Sequence, residues 1–132
     1  MDDGYQHSAL TELIIKSFYE VYNKLGFGFL EKVYENALVI ELEKNGLSAK
    51  SQMPVDVFYD SEKVGAYFAD IVVEDLVIVE LKGSESLSQE HEAQLLNYLR
   101  ATDIEIGLLL NFGKTPQVKR KVFSNQYKNH HH

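Results

Sequence analysis

The 132-residue sequence contains no cysteine, which excludes disulfides and thiolate metal sites and leaves oxygen-ligated metal chemistry open. No apolar run reaches the roughly 20 residues that a membrane-spanning helix needs. The longest greasy stretches, such as Leu76 to Val79, are strand-sized, and no signal-peptide pattern opens the chain. A cytoplasmic protein with no membrane partner is the expectation. Low-complexity tracts and internal repeats are missing too. Histidine is scarce once Asn129-His130-His131-His132 is set aside as the remnant of a purification tag, for only His7 and His91 remain. Acidic residues stop at Glu105, and beyond it Lys114, Lys119, Arg120, Lys121 and Lys128 crowd together. That segment reads either as a local phosphate-facing patch or as a solvated basic tail. The net charge of −7 argues against a broad nucleic-acid-binding surface, because phosphate affinity comes mainly from clustered Lys and Arg.

What is present fits one domain over residues 1–128, with 129–132 as the tag remnant. Hydrophobic residues make up 45% of the chain, enough for a single sizeable core. Leu10, Leu13, Ile14, Ser17, Phe18, Val21, Tyr22 and Leu25 recur at helical spacing from Ser8, with Gly26 placed to end the helix. After the tight link Gly26-Phe27-Gly28, Leu30, Val33, Tyr34, Ala37, Leu38 and Leu42 predict a second amphipathic helix that ends at Asn45-Gly46 and packs on the first. Val55, Val57 and Tyr59 alternate before a turn at Asp60-Ser61-Glu62, Val64 to Val73 gives a second strand, and Leu76 to Lys82 a third. Ser88 is placed to cap a helix through about Arg100, and Ile104 to Phe112 reads as a buried strand. The tail from Lys114 leaves strand or helix open. Helix, helix, three strands, helix, strand is an α/β order with a mixed sheet flanked by helices, the last helix crossing over into a parallel strand.

The chemistry concentrates at Asp70 and, after nine intervening residues, the triplet Glu80-Leu81-Lys82. The intervening segment is two β-branched runs broken by Glu74-Asp75, so it should fold back as a hairpin. Asp70 then lands beside Val79 and Glu80, and strand alternation puts Glu80 and Lys82 on one face with Leu81 on the other. Two carboxylates and one ammonium converge. By itself an E-x-K triplet also marks a strand that is merely leaving the core.

Helix two opens with Gly28-Phe29-Leu30-Glu31-Lys32-Val33-Tyr34, which matches the signature of the GxxExxY family. The resemblance continues in Ala69-Asp70-Ile71-Val72-Val73, Val79-Glu80-Leu81-Lys82, His91 to Leu99 and Gly107 to Phe112. That family is similar to the PD-(D/E)XK nuclease superfamily, which implies a restriction-endonuclease-like αβββαβ core and Mg²⁺-dependent phosphodiester hydrolysis in DNA or RNA, with Mn²⁺ as the alternative ion. By the same resemblance Asp70 and Glu80 are the metal ligands and Lys82 is the catalytic lysine, and octahedral oxygen coordination leaves room for the Leu81 carbonyl beside the two acids. Glu31 matches an acid on an early helix, and Gln94 and Tyr98 match a Q-x-x-x-Y element on one helical face. Phe68 departs from the pattern, standing where many relatives carry a basic residue. With Glu31, Asp70 and Glu80 against Lys82, the set has two net negative charges that a divalent ion would neutralise, and without metal at least one carboxylate pKa should rise.

Each helper residue also has a structural reading. Glu31 suits a first helical turn, Tyr34 suits the core or an anchoring hydrogen bond, Gln94 and Tyr98 suit a half-buried polar pair, and His91 suits the start of its helix. Asn111 ends the last strand, within reach of either a ligand or the following turn. At the level of the whole protein, the alternative to a nuclease is a non-catalytic nuclease-fold module that binds or scaffolds in a larger complex. A domain this small presents little surface to a duplex, so a protein partner or a homodimer remains open.

Overall fold

The computed structural model describes residues 6–128; the tag remnant read at 129–132 lies outside them. Helix α1 (Ser8–Leu25) buries Thr11, Ile14, Ser17, Phe18 and Val21 along one face and stops at Gly26, whose φ of 69° lies where only glycine is unstrained. Helix α2 (Glu31–Lys44) buries Tyr34, Glu35, Leu38 and Leu42. Tyr34 secures the link between them: its hydroxyl donates to the Gly26 carbonyl at 2.7 Å and accepts from the Phe29 N–H at 3.2 Å, while its ring stacks on Phe112 at 4.1 Å. The anchoring role expected for this tyrosine is the one it has.

The strands β1 (Ala49–Tyr59), β2 (Glu62–Val73), β3 (Val77–Lys82), β4 (Ile106–Phe112) and β5 (Pro116–Val122) form one sheet in the order β1-β2-β3-β4-β5. Helix α3 (Gln89–Ala101) carries the chain from β3 to β4, and that is the one parallel pair among the described strands. The first β-hairpin closes with the two-residue loop Asp60-Ser61, and the second turns at Glu74-Asp75 within the three-residue link Glu74-Asp75-Leu76. Asp60, Ser61, Glu74 and Asp75 all have positive φ, as the central pairs of type I′ turns require. Residues of α1 and α2 pack with Ile71, Val73, Val79, Leu81, Leu108 and Leu110 on one face of the sheet. On the other, Leu95, Tyr98 and Leu99 of α3 meet Val55, Ala69, Val72, Ile78 and Leu109.

This is the mixed α/β architecture expected from the order of elements, consistent with a restriction-endonuclease-like fold. The undecided tail is the edge strand β5, antiparallel to β4 and followed by a short 3-10 turn. Among the described residues no helix is long and apolar enough to cross a membrane.

The first hairpin shifts register between Val57 and Phe58 near its tip, and a second irregularity breaks its alternation further back. The pairing of β1 with β2 runs Ser51 to Ile71 and then Met53 to Ala69, skipping Gln52 and Asp70, and Gln52 has a φ of 55°. Both strands change faces there. Ile71 and Val73 lie under α1 and α2, whereas Ala69, which simple alternation would place with them, joins the core beneath α3, as do Met53 and Val55. Beyond the switch the hairpin projects as a two-stranded ribbon, because β3 pairs with β2 only from Ile71 to Val73.

Candidate active site

The ladder between β2 and β3 ends at Ile71 and Val79. One step further the facing residues are Asp70 and Glu80, and their side chains take over the hydrogen bonding. The Asp70 N–H donates to Glu80 Oε2 at 2.9 Å, and the Leu81 N–H donates to Asp70 Oδ2 at 2.8 Å. Each carboxylate thus closes the opposite strand's backbone, which brings the two acids together as the hairpin reading required.

The arrangement is costly for two anions. Glu80 is 4% exposed. Burial first, and the neighbouring Asp70 charge second, push its carboxyl up to about 8, against the pull of the Asp70 N–H and Lys82. Burial also raises Asp70; the Leu81 hydrogen bond opposes that rise, and the charges of Glu35 and Glu31 add to it.

Lys82 lies on the same face as Glu80 and donates to Gln94 Oε1 over a long 3.4 Å, and Gln94 Nε2 donates to the Tyr98 hydroxyl at 3.2 Å. The side chains predicted to share a helical face therefore join the E-x-K strand in one polar chain. Burial, followed by the charges of Glu80 and Asp70, pushes the Tyr98 phenol up to about 12, so it stays a neutral hydroxyl. Leu81 turns its side chain into the core beneath α1 and α2.

Glu31, the first residue of α2, accepts the Gly83 N–H at 3.1 Å. It pins the backbone one residue past Lys82, which gives it both a first-turn position and a place at the rim of the site. The sequence reading missed Glu35, one helical turn on. Glu35 is 4% exposed, accepts from Gln52 Nε2 and from Lys32, each at 3.0 Å, and acts on Asp70 more strongly than Glu31 does. A signal was there: Glu31 and Glu35 share a helix face, and Glu35 interrupts the apolar stripe of Tyr34 and Leu38. Nothing in the sequence marked Gln52, whose unusual backbone turns it toward Glu35 opposite Asp70.

Other candidates are employed elsewhere. His91 Nδ1 accepts from the Ser88 N–H, and Ser88 Oγ from the His91 N–H, completing a cap for α3. Asn111, fully buried, clamps the Ser84 N–H and carbonyl, each at 2.9 Å. The basic C-terminal segment is largely committed within the molecule. Lys119 and Lys121 both pair with Glu92, Arg120 donates to the Gln6 carbonyl, and Lys128 donates to the Thr102 and Ile104 carbonyls. The segment is therefore folded onto the domain as β5 and is not a loose tail.

Asp70 and Glu80 each keep one carboxylate oxygen that accepts no hydrogen bond from a described residue. Partly desolvated oxygen donors under mutual repulsion are the donor set of a hard divalent cation, so these side chains fit such an ion. Among the described residues no three acids or histidines gather into a ready-made metal cluster; the protein's own share is an acid pair.

A family model for the PD-(D/E)XK nuclease superfamily matches residues 8–122, a span that takes in Glu31, Asp70, Glu80, Lys82, Gln94 and Tyr98. Neither the curated proteins nor the solved structures provide a match.

Proposed function

Because the chain belongs to the PD-(D/E)XK nuclease superfamily, we propose that it is a Mg²⁺-dependent nuclease, with Mn²⁺ as a substitute, hydrolysing phosphodiester bonds in DNA or RNA. The proposal takes residues 1–128 as one catalytic domain of the GxxExxY branch, acting in the cytoplasm. The observation that supports it most is the reciprocal pair Asp70 and Glu80, two carboxylates held together at the end of a broken ladder with Lys82 on the same face.

In this reading Asp70, Glu80 and the Leu81 carbonyl hold the cation, which when bound supplies Lewis acidity toward the phosphoryl group. Lys82 orients the attacking water and stabilises the negative charge that develops on the phosphate. Gln94 aims the Lys82 ammonium, and the neutral Tyr98 hydroxyl offers a proton to a phosphate oxygen. Glu31 is a positioning residue: by holding Gly83 it fixes the backbone that follows Lys82. Glu35 deepens the negative field at Asp70.

The second reading, a binding or scaffold module that keeps the fold without cutting, is favoured by the net charge of −7. The two separate in a cleavage assay of labelled single- and double-stranded DNA and RNA with Mg²⁺, comparing tag-free protein with Lys82→Ala. Metal-dependent cutting lost in the variant is the expected result. Cutting by neither protein overturns the nuclease reading, and equal cutting by both overturns the role of Lys82.

A further inference from the structure

We propose that the site takes an unpaired strand, one of whose bases stacks on Tyr67. The inference rests on the nuclease reading for the class of ligand and goes beyond it in naming the strand state and the residue that selects it.

Tyr67 belongs to the projecting ribbon, at the position of β2 that faces Val55 of β1. Its ring lies 5.9 Å from that of Tyr98, tilted by 46°, and it is 50% exposed. Tyr98 is the end of the polar chain that begins at Lys82 and passes through Gln94. An open aromatic surface therefore adjoins the groups that would face the scissile phosphate. The ribbon is shaped to hold it there. Gly65 precedes Tyr67 by two residues on the same strand, and a Cβ on Gly65 would come within 3.3 Å of Tyr67 Cε2; the missing side chain lets the ring settle close to the strand.

Charge argues for the same ligand. A duplex is bound mainly through cations along its phosphates, and here several surface cations each sit beside an acid that offsets their charge. Lys50 pairs with Asp75, Lys63 with Asp56, and Lys119 and Lys121 with Glu92. Base stacking on an aromatic face needs no net positive charge and tolerates any sequence. It does need a base with a free face, which a paired base inside a duplex lacks.

The test is fluorescence anisotropy with Ca²⁺ in place of Mg²⁺. The probes are fluorescein-labelled oligodeoxyuridylate, oligouridylate, an abasic oligodeoxynucleotide of equal length and a blunt duplex. Tag-free wild type is compared with Tyr67→Phe and Tyr67→Leu. Because Tyr67 is half exposed, both variants keep the fold, and circular dichroism checks this. The expected result is that base-bearing single strands bind more tightly than the abasic strand or the duplex. Tyr67→Leu then weakens them about tenfold, and Tyr67→Phe retains them. The inference is overturned if leucine binds as well as tyrosine, if the abasic strand or the duplex binds as tightly, or if no oligonucleotide binds. Comparing oligodeoxyuridylate with oligouridylate, which differ in the 2′-hydroxyl alone, names the sugar. Cleavage with Mg²⁺ is scored separately. Tyr67-dependent binding without cutting refutes the nuclease reading and leaves this one standing, whereas cutting with no response to Tyr67→Leu overturns this one alone.

Discussion

Replacing Glu80 with glutamine should make the metal-free protein more stable at mildly alkaline pH, although it removes a group from the proposed active site. Folding raises the Glu80 carboxyl from 4.5 to about 8 through burial and the Asp70 charge. Between those values the folded chain holds a proton that the unfolded chain has released, so the contribution is fully present below 4.5 and is lost as pH rises through about 8. At roughly 1.4 kcal/mol for each tenfold change the upper bound is about 5 kcal/mol. Asp70, also raised, moves the same way. Glutamine keeps an oxygen for the Asp70 N–H without a charge to desolvate, so Glu80→Gln should flatten this part of the curve. Thermal melts in chelator across that pH range provide the assay. Near the upper end the variant should melt higher than wild type by on the order of 10 °C. Parallel melting curves for the two proteins would refute the argument, as would wild-type stability that climbs with pH across the window.

Other outcomes rest on the same geometry. Mg²⁺ at about a hundred times its dissociation constant should stabilise the wild type by roughly 2.7 kcal/mol, with Asp70→Asn abolishing the shift; a melt that ignores millimolar Mg²⁺ counts against the acid pair as a cation site. Glu35→Gln should weaken Mg²⁺ binding, read by calorimetry, because it removes a negative charge acting on Asp70, and unchanged affinity would restrict Glu35 to its bonds with Gln52 and Lys32. Asn111→Ala leaves the Ser84 N–H and carbonyl without their partner and should cost about 2–3 kcal/mol in urea denaturation. A smaller loss would mean that solvent replaces the clamp.

The elements themselves were legible because their periods are simple. The apolar stripe from Ile14 to Val21, the acidic pair between two β-branched runs and Ser88 ahead of its helix each carry a local physical cause, and each is found where that cause puts it. The proposed metal-binding pair was legible for the same reason, since a tight hairpin at Glu74-Asp75 forces Asp70 against Glu80. What escaped depends on a break in period. A period-two reading of β2 keeps Ala69 with Ile71, yet the two lie on opposite faces, because Gln52 takes a left-handed backbone opposite Asp70 and the hairpin changes face there. Such a conformation costs of order 1–3 kcal/mol and persists only where its surroundings hold it. Here Gln52 is held by Glu35, and Asp70 by the reciprocal bonds to β3. The same switch places Tyr67 beside Tyr98, with Ala69 and Val55 in the core beneath α3. The irregular step that hid Gln52 and Tyr67 from a pattern reading thus turns Gln52 toward Glu35 and sets Tyr67 beside Tyr98, and straightening it would separate the aromatic surface from the polar chain of Lys82, Gln94 and Tyr98.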